Sequence, residues 1–201
     1  TLTTANKNTN IDGLTGVSVN GVNIASGATY SLNNTLTVGA GFGKITVNGN
    51  LVLGENGSIV TGFSNEKRIE AGLQNYNQST SIINNGTVNL SSGSLVLAPK
   101  KAYYNNDVKI KILDKAAANA NFGKLIVLDV EGNYYEKTND NDKTNDVYVV
   151  SPTLEMTAVQ EDVIKRTNDN SVVTIGIKRT LENVELSEVQ SSLGEAYVND
   201  S

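Results

Sequence analysis

Apolar and polar positions alternate along this chain in short runs, and each run is introduced by a turn. The first is Asn20-Gly21-Val22-Asn23-Ile24, followed by Gly27-Ala28-Thr29-Tyr30. The pattern returns as Asn48-Gly49-Asn50-Leu51-Val52-Leu53 with Gly57-Ser58-Ile59-Val60. It returns again as Asn85-Gly86-Thr87-Val88-Asn89-Leu90 with Gly93-Ser94-Leu95-Val96-Leu97. Alternation with a period of two predicts strands with one buried face. A further strand candidate, Lys44-Ile45-Thr46-Val47, runs directly into the second copy. The glycines of the three Asn-Gly pairs are 28 and 37 residues apart. An interval of 37 fits two coils of a β-helix, each of roughly 18–20 residues.

Asn-Gly between alternating runs is also a hairpin signal. A solenoid is preferred to an antiparallel sandwich or barrel because the units repeat without hairpin-like pairing lengths. In such a stack Leu51, Leu53, Val88, Leu90, Leu95 and Leu97 point inward, and Val52, Asn89 and Val96 lie outside.

The texture changes at Pro99-Lys100-Lys101, which closes the repeats. Val108 to Ile112 alternates as a half-buried strand. Asp114 to Asn121 predicts a short helix, with Asp114 at its N-cap and Gly123 past its end. Lys124 to Val130 predicts a fully buried strand, and Asn139 to Asp146 a polar loop. Val147 to Val150, Thr153 to Arg166 and Ser171 to Arg179 follow as strands, the last two paired across a Thr167–Asn170 turn. Ser187 and Gln190 form a capping box, and Leu186, Val189, Leu193, Ala196 and Tyr197 fall at helical spacing. The expected architecture is all-β: a right-handed parallel β-helix over 1–98, an irregular β-rich cap over 99–182, and a short amphipathic helix or linker over 183–201.

Composition sharpens this. There is no cysteine and no histidine in the 201 residues. Disulfides, thiolate ligands, Cys nucleophiles and every His-dependent mechanism are thereby excluded. The chain holds 28 Asn and 18 Gly but only 2 Pro, a balance that favours many tight turns. The net charge of −5 divides unevenly, +3 over residues 1–130 and −8 over 131–201. No basic stripe with interleaved aromatics points to nucleic acid, and no apolar run is long enough to span a bilayer. No signal-peptide pattern opens the chain, and Thr1-Leu2-Thr3-Thr4 has the texture of mid-protein sequence. The chain is therefore expected to be a fragment.

The repeated N-G-x-[VL]-x-L units resemble the passenger domains of type V autotransporters, especially large Asn-rich ones. The order of the C-terminal third, a non-repeating β-rich stretch from Lys124 to Arg179 and then a helix from Glu185 to Val198, is similar to theirs. The resemblance implies an autochaperone-like cap, an outer-membrane β-barrel downstream, and export to the bacterial cell surface or secretion from it. It implies an adhesin or stalk whose partners are host-cell or bacterial surface proteins or glycans, a role in virulence, and no transferred functional residue.

Several segments invite chemistry. Gly39-Ala40-Gly41-Phe42-Gly43-Lys44 suggests a phosphate loop, but the glycine spacing is wrong and Ile45 stands where Ser or Thr is needed. Asp140, Asp142 and Asp146 suggest a calcium loop, but lack the glycine and closing glutamate in register. Glu66-Lys67-Arg68 and Lys100-Lys101 are of the type a polysaccharide lyase uses. A carbohydrate-active β-helix enzyme is thus the alternative to a non-catalytic binder. Tyr76, Tyr103, Tyr104, Tyr134 and Tyr135 suit glycan or protein recognition, or equally strand packing. No residue is assigned to catalysis, to a metal or to a cofactor.

Overall fold

The computed structural model describes residues 2–4, 8–10, 21–38, 43–65, 82–115, 119–129, 131–137, 147–163 and 170–184. The chain starts with β1 (Leu2–Thr4) and β2 (Asn8–Asn10). Three further passages then have the same make-up: β3 (Val22–Ile24), β4 (Thr29–Leu32) and β5 (Thr35–Val38); β6 (Ile45–Val47), β7 (Asn50–Leu53) and β8 (Ser58–Phe63); β9 (Ile82–Asn84), β10 (Thr87–Asn89) and β11 (Ser94–Pro99). After them come β12 (Val108–Leu113), β13 (Lys124–Val127), β14 (Glu136–Lys137), β15 (Val147–Ser151), β16 (Leu154–Val163) and β17 (Asn170–Arg179). Among the described residues there is no helix.

Successive strands do not pair with one another but with their counterparts in the next passage. The first strands of each passage form the parallel ladder β1-β3-β6-β9-β12, the second β2-β4-β7-β10, and the third β5-β8-β11-β13. The chain thus visits three parallel sheets in a fixed order, one strand at a time. Two of the Asn-Gly pairs are corners between sheets and not hairpins: Asn48-Gly49 separates β6 from β7 and Asn85-Gly86 separates β9 from β10, each pair of strands belonging to different sheets; Asn20 lies outside the described residues.

Alternation supplies the core. Val22, Ile45 and Ile82 stack in the first sheet, Tyr30, Leu51 and Val88 in the second, and Leu36, Ile59 and Leu95 in the third; all are buried. The six expected inward residues, Leu51, Leu53, Val88, Leu90, Leu95 and Leu97, are buried. Val52, Asn89 and Val96 are not. Polar side chains on the outer face also stack. Asn50 donates to Thr29 Oγ1 at 3.2 Å and accepts from the Thr87 hydroxyl, and Asn85 donates to Asn48 Oδ1 at 3.2 Å.

The interval of 37 residues separates neighbouring strands of a ladder, not strands two apart. Thr87 pairs directly with Asn50, and Ile82 with Ile45. The undisturbed interval is shorter, with Ile45 following Val22 by 23 residues. The extra length lies between β8 and β9, where residues 66–81 are outside the described part.

The parallel stack continues past Pro99. Lys100 N–H donates to Phe63 O at 2.8 Å, and Lys124 to Val127 pair with Ser94 to Leu97. Two local expectations need correction here. Asp114 is not an N-cap of the expected kind: its carboxylate accepts from Asn84 N–H on the neighbouring strand at 2.9 Å, and Asn119, inside the expected helix, has the left-handed φ 62. Residues 116–118 lie outside the described part. Nor is Lys124 to Val130 fully buried. Its strand ends at Val127, and within it only Val127 is buried, because β13 is the last strand of its sheet.

The first sheet then changes character. Beyond β12 it grows antiparallel, in the order β12-β17-β16-β15-β14. The expected hairpin of the two long strands is β16 and β17, paired from Leu154↔Arg179 to Val163↔Asn170. It is pinned to the end of the stack. Gln160 accepts from Phe122 N–H at 3.0 Å and donates to Ala120 O at 3.1 Å, and Tyr148 donates to Leu125 O at 2.8 Å. The expected loop over Asn139–Asp146, most of the Thr167–Asn170 turn and the helix following Ser187 fall outside the described residues.

Candidate functional site

The tandem tyrosines divide between packing and presentation. Tyr104 is 2 % exposed; its ring meets Phe63 edge-on at 5.8 Å and its hydroxyl donates to Lys100 O at 2.6 Å. Tyr103 beside it is 47 % exposed. Successive residues in extended chain point to opposite faces, so one tyrosine anchors the pair while the other faces solvent. The Arg179 guanidinium lies 4.2 Å from the Tyr103 ring centroid and donates to Tyr104 O at 3.0 Å. Asn65 donates to Tyr103 O at 2.6 Å. Arg179 thus lies on the ring, while hydrogen bonds from Asn65 and Arg179 fix the backbone that carries it.

Tyr134 and Tyr135 are more open still, at 51 % and 65 %. They follow a turn built by Asp129, whose carboxylate accepts from Glu131 N–H at 2.9 Å and Asn133 N–H at 3.0 Å, with Gly132 at φ 85. Tyr134 meets Tyr148 edge-on at 6.2 Å, and Tyr135 O accepts from Val149 N–H at 2.9 Å. Tyr103, Tyr134 and Tyr135 are the large exposed hydrophobic side chains among the described residues. Rigid, half-pinned tyrosines supply contact area with little entropy left to lose.

A second cluster combines charge with burial. Glu155 on β16 is 4 % exposed. It accepts from Lys137 Nζ at 2.7 Å and from Asn183 Nδ2 at 2.9 Å, both on the same oxygen, Oε1. Lys137 also reaches Glu182 at 3.2 Å, and Glu182 lies 3.8 Å from Lys178. Burial pushes the Glu155 carboxyl up, but the hydrogen bonds from Lys137 and Asn183 outweigh it and hold the carboxyl below its usual range. The hydrogen bonds to Glu155 and Glu182 raise the Lys137 ammonium.

These shifts predict a stability that declines on both sides of neutral. Glu155 stabilises the fold above the ordinary carboxylate range, and that contribution is lost as pH falls through its lowered folded pKa. Lys137 stabilises below its ordinary value of 10.5 and loses this as pH rises through its raised one. Burial raises Tyr30 and Tyr104 from 10.0 to about 12. The folded chain therefore keeps two protons that the unfolded chain releases, and stability falls further between pH 10 and about 12. Thermal melts across pH, followed with tyrosinate absorbance, are expected to show both tyrosines ionising only as the chain unfolds.

Of the segments that invited chemistry, Gly43 (φ 83) leads into strand β6, so no helix N-terminus faces a phosphate there. Lys100 and Lys101 are exposed. Gly39 to Phe42, Glu66-Lys67-Arg68, Tyr76, Asp140, Asp142 and Asp146 lie outside the described residues. Arg179, Glu155 and Asn183 were not singled out by sequence. Their hydrogen-bond partners are 18 to 75 residues away in the chain.

The chain matches no known family model, and no curated protein or solved structure shows significant similarity to it.

Proposed function

We propose that the chain is a non-catalytic binding or stalk segment of a bacterial surface protein, built as a right-handed parallel β-helix and exported as an autotransporter passenger. The carrying observation is the fixed rotation of the chain through three parallel sheets in register. A connection between parallel strands of one sheet is right-handed in nearly all proteins, which supports the handedness. A stack of this kind gives length and stiffness from local contacts alone, and needs neither cysteine nor metal. Recognition then falls to what the circuits display, namely Tyr103 with Arg179, and the Tyr134-Tyr135 turn. Several weak contacts from one rigid body add through effective concentration. Adhesion to host-cell or bacterial surface proteins or glycans is the function this arrangement serves best.

Binding of the purified chain to a glycan array and to matrix proteins tests this, with Tyr103→Ala and Tyr135→Ala beside the native chain. Each substitution is expected to weaken binding on the order of tenfold, with an unchanged melting temperature. Binding that both variants retain removes the tyrosines from the proposal. In cells carrying the whole gene, protease added outside is expected to cleave the segment; full protection would refute surface display.

A further inference from the structure

The cluster around Glu155 joins three groups whose combination has a chemistry of its own: a primary amine, a carboxamide and a buried carboxylate between them. Lys137 comes from β14, Glu155 from β16 two strands away, and Asn183 from the segment after β17. Both nitrogens hydrogen-bond the same carboxylate oxygen, at 2.7 and 2.9 Å. The amine and the carboxamide are therefore within two hydrogen bonds of each other, and any proton leaving one can reach the other through Glu155. We propose that Lys137, Glu155 and Asn183 form a self-cross-linking site, at which the Lys137 amine displaces ammonia from the Asn183 carboxamide and leaves an amide bond between the two side chains.

The step balances without a cofactor. Glu155 takes a proton from the Lys137 ammonium along the short hydrogen bond. The freed amine attacks Cγ of Asn183, forming the new C–N bond. Glu155 returns its proton to Nδ2 and accepts one of the two protons on the attacking nitrogen, the other staying on the new amide; the C–Nδ2 bond then breaks and ammonia leaves, taking the proton from Glu155 and departing as ammonium. Nothing is oxidised or reduced. Burial of Glu155 favours its protonated form, but the hydrogen bonds from Lys137 and Asn183 outweigh this and work against the first transfer. Glu182, itself near Lys178, opposes the first transfer by stabilising the ammonium, so the reaction is slow. It runs once per molecule, and a slow rate suffices. In a chain without cysteine, such a bond would supply the covalent closure that disulfides give other secreted proteins. It would tie the outermost strand of the first sheet to the chain leaving β17.

Intact mass of the aged, denatured protein tests the proposal, together with sequencing of its proteolytic fragments. The expected result is a mass lower than the sequence mass by one ammonia, and a branched fragment joining Lys137 to Asn183. Glu155→Gln, Lys137→Arg and Asn183→Ala are each expected to restore the full mass. Lys137→Arg retains the ion pair, so a native circular-dichroism spectrum for it separates lost chemistry from lost fold. An unchanged mass overturns the proposal. So does ammonia loss without the branched fragment, because the Asn48-Gly49 and Asn85-Gly86 pairs lose ammonia by cyclising on their own backbone. A branched fragment that persists in Glu155→Gln overturns the role given to the carboxylate.

Discussion

Gly86→Ala is expected to destabilise the chain by about 3 kcal/mol, at the upper end of overpacking costs. A Cβ on Gly86 would stand 2.1 Å from Gly49 O and 3.0 Å from the Asn48 carbonyl carbon. These are backbone atoms of the corner beneath, and no side-chain rotation clears them. The corner has no room to rise, because Thr87 N–H donates to Gly49 O at 3.0 Å and Asn85 N–H to Val47 O at 2.7 Å. Relief requires breaking these bonds, each worth about 1 kcal/mol. Gly49 is confined in the same way, with a Cβ placed 2.3 Å from both Ala25 O and Ala28 O. Gly132→Ala is the contrasting substitution. Nothing lies within 4 Å of its Cβ position and φ is +85, so only backbone strain of about 1–2 kcal/mol is expected. Urea melts of both variants check the difference. A Gly86→Ala midpoint equal to that of the native chain would mean that the corners do not stack as closely as described.

The same corner explains what could be read from the sequence. Alternation identified the inward side chains because a strand with one buried face has no freedom to choose otherwise. Asn48-Gly49 and Asn85-Gly86 marked real corners, yet counting between the Asn-Gly pairs misjudged the spacing of neighbouring strands. Gly21 leads into β3 of the first sheet, whereas Gly49 leads into β7 of the second. The residue stacked beneath Gly49 is Ala28, as the pairing of Asn50 with Thr29 requires, and nothing marks Ala28 as a corner. Local pattern also could not place β17 beside β12, because the contact of Val108 with Ile175 depends on the whole cap folding back. The Tyr103–Arg179 and Lys137–Glu155–Asn183 groupings were invisible for that reason. Individual tyrosines drew notice by type, while the charged residues beside them looked like ordinary polar positions on strands.

A chain ending near Lys100 is expected to lose its cooperative thermal melt and to aggregate. The truncation removes β12 to β17, opens the ends of the first and third parallel sheets and uncovers Leu90 beside the second. Ser94 to Leu97 lose their ladder partners on β13, and Leu90 N–H loses its acceptor, Asn119 O, at 2.9 Å. The apolar loss is larger. Tyr104 leaves Phe63, and Val127 leaves its place on Leu97. Ile110, Ile112, Val173 and Ile175, buried in the same core, are removed as well. What remains presents unpaired strand edges beside an exposed apolar interior, the combination that templates pairing with other chains. The removed segment suits the task of preventing this, since residues 131–201 carry a net charge of −8 and like charges repel a second copy. Size-exclusion chromatography and thermal melting of the truncated and full chains provide the comparison. A truncated chain that elutes as a monomer and melts at the same temperature would show that the circuits are self-sufficient and that the antiparallel layer serves some purpose other than closing their end.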